Sequence, residues 1–313
     1  MSSMMFALNG VFPLFAAMSL GYLARRLKMA DRETFVQLNK LIFQIFLPLL
    51  IYVNIYRSSI LTVRLGGPIL YAIGAVLVIF GLSWLVISRT EPERRRRGVL
   101  IQAMFRSNYV LFGVFLANAL LPEGGSGLTE VLIAIVIPLF NLMAVFILQF
   151  YRKEGRISPR ILFKGIVTNP LIIASVLGLA TLLAGIRWPV LLENTMAGLS
   201  AVATPIALFA LGGQFFFSET RTYLFQLIAG VSARLMLVPL LALGGAILLG
   251  LRGEVLVSYL ALFGGPVAVS SYTMTQQMNA EHELAGQILV YTSIFCVLTL
   301  FIWITVLRGF ALI

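Results

Sequence analysis

The chain has 313 residues, of which 60% are hydrophobic and 11% charged, with a net charge of +11 and a mean hydropathy of +0.98. Soluble domains carry about 45–50% apolar and about 25% charged residues, so a water-exposed globule is excluded and the composition describes a polytopic integral membrane protein. The positive charge does not point to nucleic acid, because the basic residues sit in short loops between apolar runs, where they set membrane orientation.

A spanning helix needs roughly 20 apolar residues. The pattern predicts ten spans, at about 4–24, 35–56, 68–88, 99–120, 129–151, 166–186, 193–217, 225–250, 255–278 and 284–307. Span 1 has its basic residues after the apolar run, unlike a removable signal peptide. In span 2, Asn39 and Lys40 fall near one end, where a lysine snorkels to the interface. Span 4 reads F-R-S-N-Y-V-L-F-G from Phe105 to Gly113. Gly113 is its candidate break. Asn108 reads equally as a substrate ligand and as an interhelical bridge. Arg106 reads either as an attractor for an anion or as an arginine bonded to carbonyls. Asn141, after Pro138 in span 5, is expected to bond across helices and support the span 4 break. Residues 152–165 form a cytoplasmic linker.

Span 8 holds Arg234, a weaker site candidate than Arg106. Span 9 holds L-F-G-G-P-V-A-V-S-S-Y from Leu262 to Tyr272. Glycine costs about 1 kcal/mol and proline about 3 kcal/mol in a helix interior, so Gly264, Gly265 and Pro266 read as one helix ending and another beginning. Pro266 suits the first position of the new helix. Free N–H groups near Val267 to Val269, with Ser270 and Ser271 beside them, would then form an anion site at mid-membrane. On span 10, Gln287, Tyr291, Thr292 and Ser293 make a polar stripe that either faces span 9 or lines a cavity.

The second half of the chain is a worn copy of the first. V-F-P-L-F-A-A-M-S-L-G (Val11 to Gly21) aligns with T-N-P-L-I-I-A-S-V-L-G (Thr168 to Gly178) at an offset of 157, which also pairs Pro48 with Pro205 and Arg64 with Arg221. Repeats with an odd number of spans lie upside down to each other, an arrangement of secondary transporters that bind substrate near the midplane. The fold class is therefore all-α, with two inverted five-helix repeats, 1–151 and 166–313, and broken crossing helices 4 and 9. Loops after odd-numbered spans hold fifteen Lys and Arg against five on the other side. This puts those loops in the cytoplasm and both termini outside. The run Arg94–Arg97 serves as a topology anchor beside anionic lipid, or as a lipid or partner site.

All twelve acids lie in loops or at span ends. No mid-membrane carboxylate is placed to relay protons or hold a hard cation, which fits an anionic substrate. The single cysteine, Cys296, excludes an intrachain disulfide and a cysteine zinc site. No cofactor or metal is expected. An intramembrane enzyme is disfavoured, because His282, the only histidine, lies in a loop and no H-E-x-x-H or G-x-S-x-G occurs.

N-K-L-I-F-Q-I-F-L-P-L-L-I-Y (Asn39 to Tyr52), R-S-N-Y-V-L-F-G (Arg106 to Gly113) and P-V-A-V-S-S-Y-T-M-T-Q-Q-M-N-A-E-H-E-L-A (Pro266 to Ala285) resemble the second, fourth and ninth helices of the auxin efflux carrier family. That family falls within the bile, arsenite and riboflavin transporter superfamily. The short central loop looks like prokaryotic members. The resemblance implies a scaffold of helices 1, 2, 6 and 7 and a transport domain of helices 3–5 and 8–10. It also implies an elevator-type movement and a homodimer through helices 2 and 7 in the cytoplasmic (inner) membrane. Bacterial relatives are assigned to malonate, malate and other organic anions. Asn108, Gly113, Gly265 and Pro266 match the family's crossover. The departure is in helix 4, where the family usually has Gly-x-Pro and Gly113 is followed by Val114 and Phe115, with Phe115 narrowing the site. The expected function is secondary transport of a small carboxylate, malonate- or auxin-like. The alternative is a non-transporting sensor or channel.

Overall fold

The computed structural model describes residues 3–57, 66–113, 116–117, 120–121, 127–152, 159–215 and 219–313. Arg64, Val114, Phe115 and linker residues 153–158 lie outside the described residues. The helices are α1 (Ser3–Arg26), α2 (Arg32–Tyr56), α3 (Gly66–Thr90), α4 (Arg94–Phe105), α5 (Gly127–Phe150), α6 (Pro159–Val167) and α7 (Pro170–Leu183). They continue with α8 (Val190–Gln214), α9 (Leu224–Leu248), α10 (Glu254–Phe263), α11 (Val269–Gln277) and α12 (His282–Gly309). Among the described residues, six helices are long and apolar enough to cross a membrane: α2, α3, α8, α9, α12 and residues 131–150 of α5. Exposed Leu70, Leu77, Val78, Leu82, Leu85 and Val86 line the outside of α3, a face that suits lipid and not water.

Local chemistry sets most helix ends. Asp31 caps α2, accepting from the Thr34 N–H at 2.8 Å and the Thr34 hydroxyl at 2.7 Å. The hydroxyl first and the N–H second hold its carboxyl below the usual carboxylate range. Asn169 caps α7 through the Leu171 N–H, ahead of Pro170. The helix α6 inside the linker was not expected. Span 4 begins at Arg94, earlier than the hydropathy predicts, so Arg94–Arg97 form a helical first turn and not a loop.

Three spans loosen just before a proline. A π turn at Ile42–Phe46 precedes Pro48, another at Ala233–Leu237 precedes Pro239, and α8 relaxes at Val202 before Pro205. Proline cannot donate to the carbonyl four residues back and its ring crowds that carbonyl, so the preceding turn widens.

Two helix pairs approach by omitting side chains. A Cβ on Gly21 of α1 would lie 1.9 Å from the Phe209 carbonyl oxygen of α8, and one on Gly212 would lie 1.9 Å from the Met18 carbonyl oxygen. A Cβ on Gly178 of α7 would lie 3.2 Å from the Tyr52 carbonyl oxygen and 3.1 Å from Ile55 Cβ of α2. Small residues let backbones meet where lipid offers no hydrophobic drive between helices.

The structure corrects two expected breaks. Span 4 unwinds at Arg106–Asn108, directly after α4 and ahead of Gly113, which ends a π turn at Tyr109–Gly113. Gly113 is instead a packing position, because a Cβ there would sit 2.7 Å from the Ala261 carbonyl oxygen of α10 and 2.4 Å from Tyr109. Span 9 does break after Phe263, but α11 begins at Val269, so Pro266 is part of the extended segment and not the first helical residue.

The glycine contacts give a direct test. Gly212→Ala is expected to lower the melting temperature in detergent by the equivalent of about 3 kcal/mol, the upper end of overpacking costs. Gly244→Ala, where a Cβ meets nothing within 4 Å, is expected not to lower it and to raise it slightly, since glycine costs about 1 kcal/mol inside a helix. Fluorescence-detected size exclusion after heating reads both.

Candidate functional site

The two unwound segments cross and satisfy each other. Ser107 and Val267 form an antiparallel bridge, the one β-type pairing among the described residues. The Asn108 N–H donates to the Pro266 carbonyl at 2.8 Å, and the Ala268 N–H donates to the Arg106 carbonyl at 3.3 Å. The Val267 N–H reaches the Thr292 hydroxyl of α12 at 3.2 Å. An extended Arg106 (φ −96°, ψ 99°) with no proline nearby is therefore held by tertiary pairing, not by local propensity.

On one side of the crossing lies a cavity of about 60 Å³. Its walls include Arg106, Ser107 and Asn108 from span 4, Ala268, Val269 and Ser270 from span 9, and Asn141 from α5. Leu47, Leu50, Ile51 and Asn54 of α2 and Thr204 of α8 close it. At about 10–15 Å³ per water by such a measure, it has room for a few waters. Helix α11 starts here with no side-chain cap, so the Val269 and Ser270 N–H groups have no intrahelical acceptor. The Asn108 side-chain nitrogen and the Ser107 hydroxyl are buried with no protein partner.

Arg106 is 3% exposed. Its guanidinium donates to Asn141 Oδ1 at 2.7 Å and to Ser270 Oγ at 2.9 Å, with Met274 Sδ at 3.5 Å. Asn141 in turn donates to Ser175 of α7 at 3.1 Å. Every partner is neutral, and among the described residues no carboxylate pairs with Arg106. The side chain is positioned while its charge stays unanswered.

On the other side of the crossing, α4 and α10 end, and their last carbonyls meet Arg234. Its two terminal nitrogens donate to the Met104 and Gly265 carbonyls at 2.9 Å each, and the residue is 0% exposed. The sequence signal was present, an arginine deep in span 8, but nothing local connects it with spans 4 and 9.

Of the nine site residues expected from sequence, Arg106, Asn108, Asn141 and Ser270 line the cavity. Val267, Pro266 and Gly265 hold the crossing through their backbones. The Val267 N–H is used and Pro266 has none, so the N–H donors at the cavity are those of Val269 and Ser270. Ser271, 3% exposed with its hydroxyl unpartnered, and Gly113 do not line it. Sequence reasoning missed Ser107, Asn54 and Thr204 as cavity residues. On span 10, Thr292 faces the break, while Gln287 accepts from Thr220 at 2.9 Å. The stripe thus serves packing partners and not the cavity.

Residues 6–304 match the family model described as membrane transport protein, the auxin efflux carrier family domain. None of the curated proteins matches the chain.

If Asn141 positions Arg106, the two are thermodynamically coupled. A double-mutant cycle of Arg106→Met and Asn141→Leu on thermal stability is expected to give a coupling of about 1.5–3 kcal/mol, the range for a hydrogen bond to a charged group. Additive losses would show that the contact does not hold the guanidinium.

Proposed function

Because the chain belongs to the membrane transport protein family, that of the auxin efflux carriers, we propose that it is a secondary transporter moving a small organic anion, a carboxylate of malonate or auxin type. The observation that carries this reading is the cavity at the crossing. It collects the uncapped start of α11, the unpartnered Asn108 amide nitrogen and the unneutralised Arg106. A helix N-terminus carries about half a positive charge. With a guanidinium beside it, the site favours a small anion in the space of the cavity.

Ten spans in two inverted five-helix repeats, 1–151 and 166–313, give this site its symmetry. Gly21 meets Phe209, and Gly178 meets Tyr52. An offset of 157 turns Gly21 into Gly178 and Tyr52 into Phe209, so one contact is the image of the other with the halves exchanged. At the crossing the offset is 160, and the bond from Asn108 to Pro266 becomes the bond from Ala268 to Arg106. Such reciprocity is what a two-fold axis in the membrane plane produces.

The cavity lies between the crossing and a wall of α2 and α8 residues, which supports a division into a scaffold of spans 1, 2, 6 and 7 and a transport domain of spans 3–5 and 8–10. Asn39 of α2 donates to Gln276 of α11, which donates to Gln214 of α8 at 2.5 Å. These amides exchange partners when the transport domain slides, elevator fashion, and carry the cavity from one side to the other. The proposed setting is the cytoplasmic membrane with both termini outside, as a homodimer through spans 2 and 7.

The test is counterflow in proteoliposomes loaded with unlabelled malonate. Labelled malonate is expected to accumulate, and Arg106→Met or Asn108→Leu is expected to cut the initial rate at least tenfold while the folded yield holds. Undiminished exchange in both variants would remove the cavity from the mechanism. Flux that ignores the internal pool would favour a channel. A panel of small mono- and dicarboxylates in which none exchanges or raises the melting temperature would favour a sensor of something else.

A further inference from the structure

Two helices stop inside the apolar body of the protein with their carbonyl ends facing one another. Each C-terminus carries about half a negative charge, so the ends of α4 and α10 together present about one. Carriers with interrupted helices use such ends and unwound carbonyls to hold a coupling sodium or proton. Here one fixed cation already stands at that pole. The Arg234 guanidinium spans the gap, giving one terminal nitrogen to the Met104 carbonyl and the other to the Gly265 carbonyl, both at 2.9 Å. It is 0% exposed, and among the described residues no carboxylate pairs with it. Burying a charge is costly unless it is paired and hydrogen-bonded, and here the two helix ends supply the counter-charge. An arginine does not deprotonate in a protein, and the match is therefore permanent.

We propose that Arg234 is a resident counter-cation that occupies the position of a coupling ion, so that this chain folds and binds its anion without sodium or a transported proton at the crossing. The π turn at Ala233–Leu237 is the device that places it. By widening the helix ahead of Pro239, it puts position 234 in the buried face. The assignment is of a positioning residue, since Arg234 touches the ends of the helices and not the cavity. Its transport consequence rests on the anion-carrier reading, while its structural content does not.

The experiment measures melting temperature of the purified full chain in sodium, potassium and choline chloride. Wild type is expected to melt alike in all three. Arg234→Ala is expected to melt lower by about 5 °C or more, a shift of the size that a few kcal/mol produces. Millimolar methylguanidinium is expected to recover at least half of that loss in Arg234→Ala and to leave wild type unmoved. Arg234→Lys keeps the charge and is expected to melt above Arg234→Gln, which keeps donors without it. This comparison decides the matter if Arg234→Ala does not fold. Any of three results overturns the proposal: wild type stabilised by sodium over choline, a folded Arg234→Ala that methylguanidinium does not rescue, or a Gln variant as stable as the Lys variant. Sodium-dependent malonate counterflow by wild type would overturn it while leaving the transport reading intact. Absent counterflow together with methylguanidinium rescue would do the reverse.

Discussion

An interrupted helix inside an apolar medium leaves N–H and C=O groups that water cannot reach, and each costs several kcal/mol if left alone. The structure answers this with a crossing of two interrupted segments. Each serves as the other's partner through Asn108 to Pro266 and Ala268 to Arg106. What remains after that exchange is taken up by the Thr292 hydroxyl on one strand and by Arg234 at the two carbonyl ends. Among the groups not taken up by protein, the first N–H groups of α11 and the Asn108 amide belong to residues that line the cavity. Demand for a ligand is what is left over when the rest of the backbone has been satisfied.

The crossing also sorts charge. Carbonyl ends collect on the side of Arg234 and are neutralised there, whereas N–H ends collect on the side of Arg106 and are not. Two buried arginines in one apolar body thus do opposite things. One completes a structure, and the other adds its charge beside the uncapped start of α11 in the proposed anion site. Their neighbours account for the difference, since Arg234 meets the negative ends of two helix dipoles and Arg106 meets neutral side chains and a thioether.

Much of this was legible before any coordinates. Runs of apolar residues marked the helices, of which six among the described residues are long and apolar enough to span, and Gly264, Gly265 and Pro266 located one interruption, because both signals act over a few neighbouring residues. The interruption at Arg106–Asn108 was not expected. Gly113 was the weakest helix former near the expected point, but its glycine serves the close approach of Ala261. The real unwinding at Arg106–Asn108 has ordinary helix-forming neighbours and exists because another segment 160 residues away pairs with it. Arg234 was undervalued for the same reason, as its partners are carbonyls, which every residue has and no motif records. Single polar residues such as Asn108 and Asn141 were found because a buried amide is costly and conspicuous in an apolar span. Their particular partners were not, since those depend on which helix faces break the surface of the cavity.

The neutrality of the groups around Arg106 explains the distribution of acids over the whole chain. A carboxylate in place of Asn141 would fix the guanidinium as firmly and cancel its charge, and the site would then bind an anion only by first breaking an ion pair in a low dielectric. An amide fixes the side chain through its oxygen without answering the charge. Its nitrogen is free to reach Ser175, which ties the fork to α7. The same reasoning forbids a carboxylate anywhere along the spans that face the crossing, because at a low effective dielectric its field would act across the cavity. The twelve acids confined to loops and span ends are thus what the proposed anion site would require, in addition to what the lipid requires.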